Sequence, residues 1–384
     1  MLGKTGASVI TSQTLGNVTL STGTFSTIAP DPNNSGAGST TLTLGNAWTH
    51  NPGSTLLLDY SSANTGARRV VTTGAVTGSG AAGPSGLFGY ALVKDSGGTG
   101  FARQDGSFAF IRNTTAGTVL TTSNSVAGTT GMDFTTVRTD PGYSGGTLTL
   151  GNVAHAANTL SIDTTGGGTL NLGGASGVLA LTSNAVLVQG TGNYTIQNGA
   201  LGASGSEVIV HHIGSGVLTI SSPISGGAGA LTKDGGGTLT LTGSQNYATL
   251  NTGAGITNLP VALGTGSSTL NANARTNLST SQTLAAMNIG ESGIVTLTAQ
   301  APAPAAGVPG IDLESTGGVD SESAVESINV SLPGGDFLPQ NDLAVFHDVT
   351  LATGAGQAVP EPGSLGLLLL GAMTMLRRSR TGNT

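Results

Sequence analysis

The chain has no cysteine, a single tryptophan and only 14 aromatic residues in 384 positions. Without cysteine it can build no disulfide scaffold, no thiolate metal site and no thiol nucleophile. Charge is scarce too: 12 basic and 19 acidic residues make up 8% of the chain, against about a quarter in globular domains. Three lysines and a net charge of −7 cannot supply a basic track for phosphates, so no nucleic-acid partner is expected. Helical spacing of apolar residues is nearly absent before residue 360. No basic segment followed by a 7–15-residue apolar run opens the chain, so no signal peptide is visible. The 64 glycines follow no three-residue period, which excludes collagen. A hydrophobic content of 37% argues against disorder.

What is present is short-range alternation. Segments such as Gly16–Phe25, Thr41–Leu44, Gly146–Leu150, Gly168–Leu172, Gly216–Ile220, Gly237–Leu241 and Gly293–Leu297 alternate apolar residues with Thr or Ser between glycines. Period-two alternation with β-branched residues predicts half-buried strands, and the glycines predict corners where φ must be free. Leu148 and Leu170 are 22 residues apart, Leu218 and Leu239 are 21, Leu170 and Leu218 are 48, and Leu239 and Leu270 a looser 31. A period near 22 predicts stacked coils rather than a sandwich, whose strands would follow each other at about 8–12 residues through hairpin turns. Only Asn198-Gly199 reads as such a turn. The expected fold is all-β, a right-handed parallel β-helix or solenoid over residues 1–300, most regular over 145–300. At about 4.8 Å per coil, Gly16 to Gln300 would form a rod of some 60 Å.

One stretch, Ala230–Tyr247, resembles the autotransporter-associated β-strand repeat of bacterial surface proteins. The resemblance is carried by Leu231, Lys233, Gly235, Gly237, Thr238, Leu239, Leu241, Gly243, Asn246 and Tyr247. Partial copies stand at Gly166–Gly174 and Gly214–Ser222, while the Gly-Gly-Thr that usually follows the tyrosine is replaced by Ala248-Thr249. The resemblance implies a β-helical passenger or stalk at the cell surface, without catalysis. Leu2–Thr11 aligns without gaps on Leu231–Thr240, so the chain reads as starting inside a repeat, from a start codon placed downstream of the true one. A cytosolic protein is the competing reading.

The carboxyl terminus carries the most specific pattern. Val359-Pro360-Glu361-Pro362-Gly363 precedes an apolar run to Leu376, then Arg377-Arg378-Ser379-Arg380. The prolines forbid a helix upstream, so a helix is expected over 363–376, shorter than the roughly 20 residues that span a bilayer comfortably. Its apolar character all round argues against a buried amphipathic helix, and Arg377, Arg378 and Arg380 are expected to stop transfer and stay cytoplasmic. Residues 359–384 resemble the PEP-CTERM sorting signal: Pro-Glu-Pro at 360–362, a short membrane helix at 363–376, a basic tail at 377–380. The resemblance implies export, a membrane-anchored precursor, processing near the Pro-Glu-Pro element by an exosortase-type peptidase, and release to a cell surface or matrix in Gram-negative bacteria that make exopolysaccharide. Extracellular polysaccharide is thereby implied as a partner class.

Between body and signal, residues 301–358 change composition. Ala301–Gly310 is a proline-alanine linker, and Ile311–Gly356 carries eight carboxylates with no Lys or Arg between Arg275 and Arg377. It reads as a solvated, self-repelling spacer. Divalent-cation binding is the functional alternative, but neither EF-hand nor nonapeptide spacing occurs. Leu343–Leu351 alternates as a strand.

The remaining motifs point away from catalysis. Gly-x-Gly-x-x-Gly at Gly78, Gly80 and Gly83 lacks a following helix, and this glycine content produces the pattern about twice by chance. Gly-x-Ser-x-Gly around Ser144 runs straight into a strand, whereas a hydrolase elbow needs a helix. His211 and His212 share a strand-like run, so their rings are expected on opposite faces, one outward and one part-buried and hydrogen-bonded, unable to chelate one metal jointly. Asp133, Arg138 and Asp140 read as a surface ion-pair group. No catalytic residue, cofactor or metal site is assigned. The expected function is that of a non-catalytic, exported envelope or matrix protein of structural or adhesin-like type. The alternative is a secreted β-helical carbohydrate-active lyase or hydrolase, which would need two carboxylates about 5–10 Å apart on adjacent coils.

Overall fold

A computed structural model describes residues 9–33, 38–83, 86–114, 118–120, 137–139, 146–203, 207–225, 229–245, 247–263, 268–298 and 350–352. Among these the chain is all-β, with no helix, and its two largest sheets are parallel. This architecture is compatible with a β-solenoid. No helix of the described residues is long and apolar enough to cross a membrane. Residues 353–384, with the expected helix at 363–376, lie outside them, as do 301–349.

The parallel body is built from two facing sheets. A nine-strand sheet runs from Thr147–Thr149 to Ile294–Thr298 and ends on Thr350–Ala352. An eleven-strand sheet runs from Thr118–Leu120 to Leu284–Ile289. The alternation read from sequence explains both. Leu148 stands opposite Leu170, Leu170 opposite Ile196, Ile196 opposite Ile220 and Ile220 opposite Leu241. Parallel register places apolar on apolar, about 4.8 Å apart. The facing column of the large sheet starts Leu160, Val186, Val210. All these side chains belong to one buried cluster between the sheets, each contributing roughly 1.5–3 kcal/mol by leaving water. A short third ladder, Leu179, Leu201, Ile224, Gln245 and Leu263, closes the side.

Of the four leucine spacings, two join true neighbours and two do not. The 22- and 21-residue steps are true neighbours. Leu218, however, stacks on Tyr194, one column away from Leu170. Leu270 lies in the other sheet, between Leu250 and Met287. Asn198-Gly199, expected to suit a hairpin, is a corner: both residues have positive φ, +54° and +111°, and the strands they join, Tyr194–Gln197 and Ala200–Ala203, belong to different sheets. The tight hairpin forms instead at Ser96-Gly97, where Asp95 pairs with Gly98.

Residues 9–114 extend neither large sheet. They form separate sheets of three, five and two strands, and Leu87–Asp95, Gly98–Gln104 and Phe110–Arg112 are antiparallel. The core of this amino-terminal module is aromatic. Trp48 and Phe110 rings are 5.1 Å apart, Phe88 and Phe110 5.2 Å. The same cluster takes in Ala185, Leu187 and Ile209 from the outer face of the eleven-strand sheet. The module therefore lies against the flank of the body, and the described residues from 9 to 114 do not lengthen a single rod. Gly89 permits the approach, since a β-carbon there would sit 1.9 Å from the Ser183 carbonyl oxygen.

Candidate functional site

Among the described residues, Glu207, His211, His212 and Lys233 are buried at two places, the seam between module and body and the interior of the body behind it; His155, whose ring is bonded to the Gly151 carbonyl at 3.0 Å, is buried elsewhere. Strand Glu207–His212 is the hinge of both. Alternation sends Glu207, Ile209 and His211 to the outer face and Val208, Val210 and His212 inward, as the membership of Ile209 in the seam cluster and of Val208 and Val210 in the body core shows.

At one end of the seam Glu207 is 4% exposed. Its Oε1 accepts the Gly53 N–H at 2.6 Å and the Thr232 hydroxyl, and its Oε2 lies 3.8 Å from His50 Nε2. His50 Nε2 donates to the Ser54 carbonyl at 3.0 Å, and its ring stacks on Tyr90 at 4.2 Å. Burial pushes the Glu207 carboxyl up to about 7, against the opposing pull of its two donors, and pushes His50 down. At the other end, His211 Nε2 donates to the Gly89 carbonyl at 2.8 Å and its Nδ1 lies 3.7 Å from Asp234 Oδ2. Asp234 also accepts the Thr55 hydroxyl at 2.8 Å and the Gly235 N–H at 2.7 Å. Burial opposes its ionised form, but His211 and these donors outweigh it and hold the carboxyl below its usual value.

Glu207 stands opposite Ala230, and Asp234 follows four residues later on the neighbouring strand, which separates the two carboxylates by about 13 Å along the sheet. Both lie under the module. They are neither within glycosidic-cleavage distance nor in an open groove.

Behind the sheet, Lys233 occupies the inner column between Val210 and Thr252 and is 0% exposed. Its ammonium donates to the carbonyls of Gly235, Gly237 (2.7 Å) and Ala254. Burial pulls it down to about 8. This explains the lysine and glycines of the repeat. Gly235, at φ +82°, turns the chain so that its carbonyl meets the ammonium, and a β-carbon on it would press on the His212 carbonyl at 2.5 Å. Leu231, Leu239 and Leu241 are core residues; Gly237 and Gly243 pass close to the carbonyls of Gly214 and Ser221, which flank the neighbouring strand Val217–Ile220. Asn246 lies outside the described residues, and Tyr247 is buried.

The two histidines do face opposite sides, but the expected division of labour is reversed. The outward ring, His211, is the hydrogen-bonded one, because the module covers it. The inward ring, His212, is 0% exposed and neither nitrogen has a hydrogen-bond partner. Burial first, then the Lys233 charge, lower it to about 4. The Gly78, Gly80 and Gly83 loop is a packing device: its N–H groups at Gly80 and Gly83 are bonded to Trp48 and Leu87 carbonyls, and a side chain at Gly83 would strike Ser183. Arg138 lies on a described strand, Val137–Thr139. Asp133, Asp140 and Ser144 lie outside the described residues, as do Val359, Pro360, Glu361, Pro362, Gly363, Arg377, Arg378 and Arg380. No group of three or more metal-ligating side chains occurs among the described residues.

The seam escaped sequence reasoning because its partners, such as Gly53 and Glu207, are 154 residues apart. The available signal was a lone glutamate sharing strand parity with Ile209. No protein-family model matches the chain, and no curated protein or solved structure is significantly similar to it. The class is set by architecture: an all-β protein of large parallel sheets with a module docked on one face.

Proposed function

We propose that this is a non-catalytic, exported protein of a bacterial cell envelope or extracellular matrix, with a right-handed β-solenoid body and a carboxyl-terminal PEP-CTERM-type signal. The observation that carries the reading is the order at the terminus: Pro360-Glu361-Pro362, the apolar run from Gly363 to Leu376, then Arg377, Arg378 and Arg380. A run of this kind inserts as a short helix, the arginines hold its end on the cytoplasmic side, and an exosortase-type peptidase cuts near the Pro-Glu-Pro element. The body supports a structural role. Its long ladders are stacked hydrocarbon, and the buried Glu207, His211 and Lys233 brace a seam and a corner. Surrounding extracellular polysaccharide is the partner class this reading implies.

The test is a reporter carrying Val359–Thr384 behind a working signal peptide, in a host without the sorting peptidase. Retention in the membrane fraction is expected. A freely soluble reporter would overturn the assignment.

A further inference from the structure

The seam holds a buried carboxyl group, Glu207, with no lysine or arginine among the described residues to neutralise it. Glu207 is paired among the described residues only with His50, at 3.8 Å, and that imidazole is already committed to the Ser54 carbonyl. The other titratable group near it on the sheet face is His211, whose own partner is Asp234; Lys233 projects to the opposite side of the sheet. Oε1 accepts two hydrogen bonds, which leaves Oε2 as the place for a proton. A carboxylic acid suits this site, because a carboxylate is desolvated there with two neutral donors, Gly53 and Thr232, and no hydrogen-bonded cation to compensate it. Around it, the contact between module and body combines an apolar patch, Ala185, Leu187 and Ile209, with the His211–Gly89 and Thr55–Asp234 hydrogen bonds.

We propose that the seam is a pH-dependent latch: the amino-terminal module is held on the body while Glu207 carries its proton, and ionisation of Glu207 releases it, baring the outer face of the eleven-strand sheet. The acidic limit is set by His50, which is half-buried, so that desolvation disfavours its charged form, and which loosens the seam when it is charged. The latch is therefore tightest in mildly acidic solution and opens as pH rises through neutrality. A carboxyl group titrating near 7 when closed and near 4.5 when open raises the open population about tenfold between pH 6 and 8.5.

The chain has no cysteine, so a reporter thiol is unambiguous. Ala185→Cys places one in the seam, where Ala185 is 0% exposed, and Ala272→Cys places a control inside the body, also 0% exposed. Modification of each in the full chain by a soluble thiol reagent is followed from pH 6 to 8.5 and corrected with the same variant in urea. The seam thiol is expected to gain about tenfold in reactivity while the interior thiol stays protected, and adding Glu207→Gln is expected to abolish the gain. A flat profile, an equal gain at both thiols, or a gain that survives Glu207→Gln would overturn the proposal. Should Ala185→Cys not fold, carboxyl resonances of ¹³C-glutamate in the native chain decide: there are six glutamates, and a set with none titrating between pH 6 and 8 would also overturn it.

Discussion

Replacing Lys233 by methionine tests the account of the repeat most sharply. Methionine keeps the length and apolar stem of the side chain but removes the ammonium from the carbonyls of Gly235, Gly237 and Ala254. Three buried carbonyls losing a charged donor cost about 5 kcal/mol together, at about 1.5–2 each. Against this stands the ammonium's own burial. A fall from 10.5 to about 8 corresponds to about 3 kcal/mol, so the variant is expected to be about 2 kcal/mol less stable at pH 7. The sign of the pH dependence follows. The folded-state value lies below the unfolded one, so between pH 8 and 10.5 the unfolded chain binds more protons and the wild type gains stability as pH rises. The variant has no such gain, and ionising tyrosines affect both proteins alike. The deficit should therefore widen from about 2 to about 5 kcal/mol between pH 7.5 and 10.5, read from urea midpoints at each pH. A deficit that stays constant or shrinks would refute the picture of a buried, charged corner clasp.

Three further outcomes follow from the same geometry. His212 is lowered to about 4 in the folded state, so stability is lost as pH falls from 6.5 towards 4; His212→Leu should remove up to about 3 kcal/mol of that loss, seen as melting temperatures that converge at pH 7 and separate at pH 4.5. Gly89→Ala puts a methyl group against the Ser183 carbonyl and should undock the module, raising the radius of gyration in small-angle scattering while the β-sheet circular dichroism is retained. Neutral replacements at Arg377, Arg378 and Arg380 remove a transfer barrier of roughly 3 kcal/mol each and should let the precursor leak into the medium of a peptidase-free host, measured by immunoblot of cell and medium fractions.

Much of the body was legible because parallel stacking repeats one local rule. Thr-Leu-Thr-Leu segments alternate with period two, and steps of 21 to 26 residues return a leucine or isoleucine to the same column. The parity that places Leu231 inside places Lys233 beside it, so even the interior lysine was in principle readable. The reading failed where the rule changes. The Asp95–Gly98 hairpin uses Ser-Gly rather than Asn-Gly. The 31-residue step from Leu239 to Leu270 crosses between sheets. Eight of the 14 aromatic residues fall in the first 114 positions, a concentration that marks a separate core, yet nothing local to Trp48 or Phe88 says which surface it will cover. The seam is a long-range product: Glu207 and Asp234 alternate like solvent-facing residues, and only the docked module buries Glu207 and partly covers Asp234.

The central claim is that a sheet-built body is delivered and released through its carboxyl-terminal signal. It is tested most directly by the intact mass of the full-length chain, expressed behind a working signal peptide in a host that has the sorting peptidase. The released protein should end near Pro360–Gly363, short of the apolar run and without Arg377, Arg378 and Arg380. Recovery from the medium of a chain that still ends at Thr384 would contradict the account.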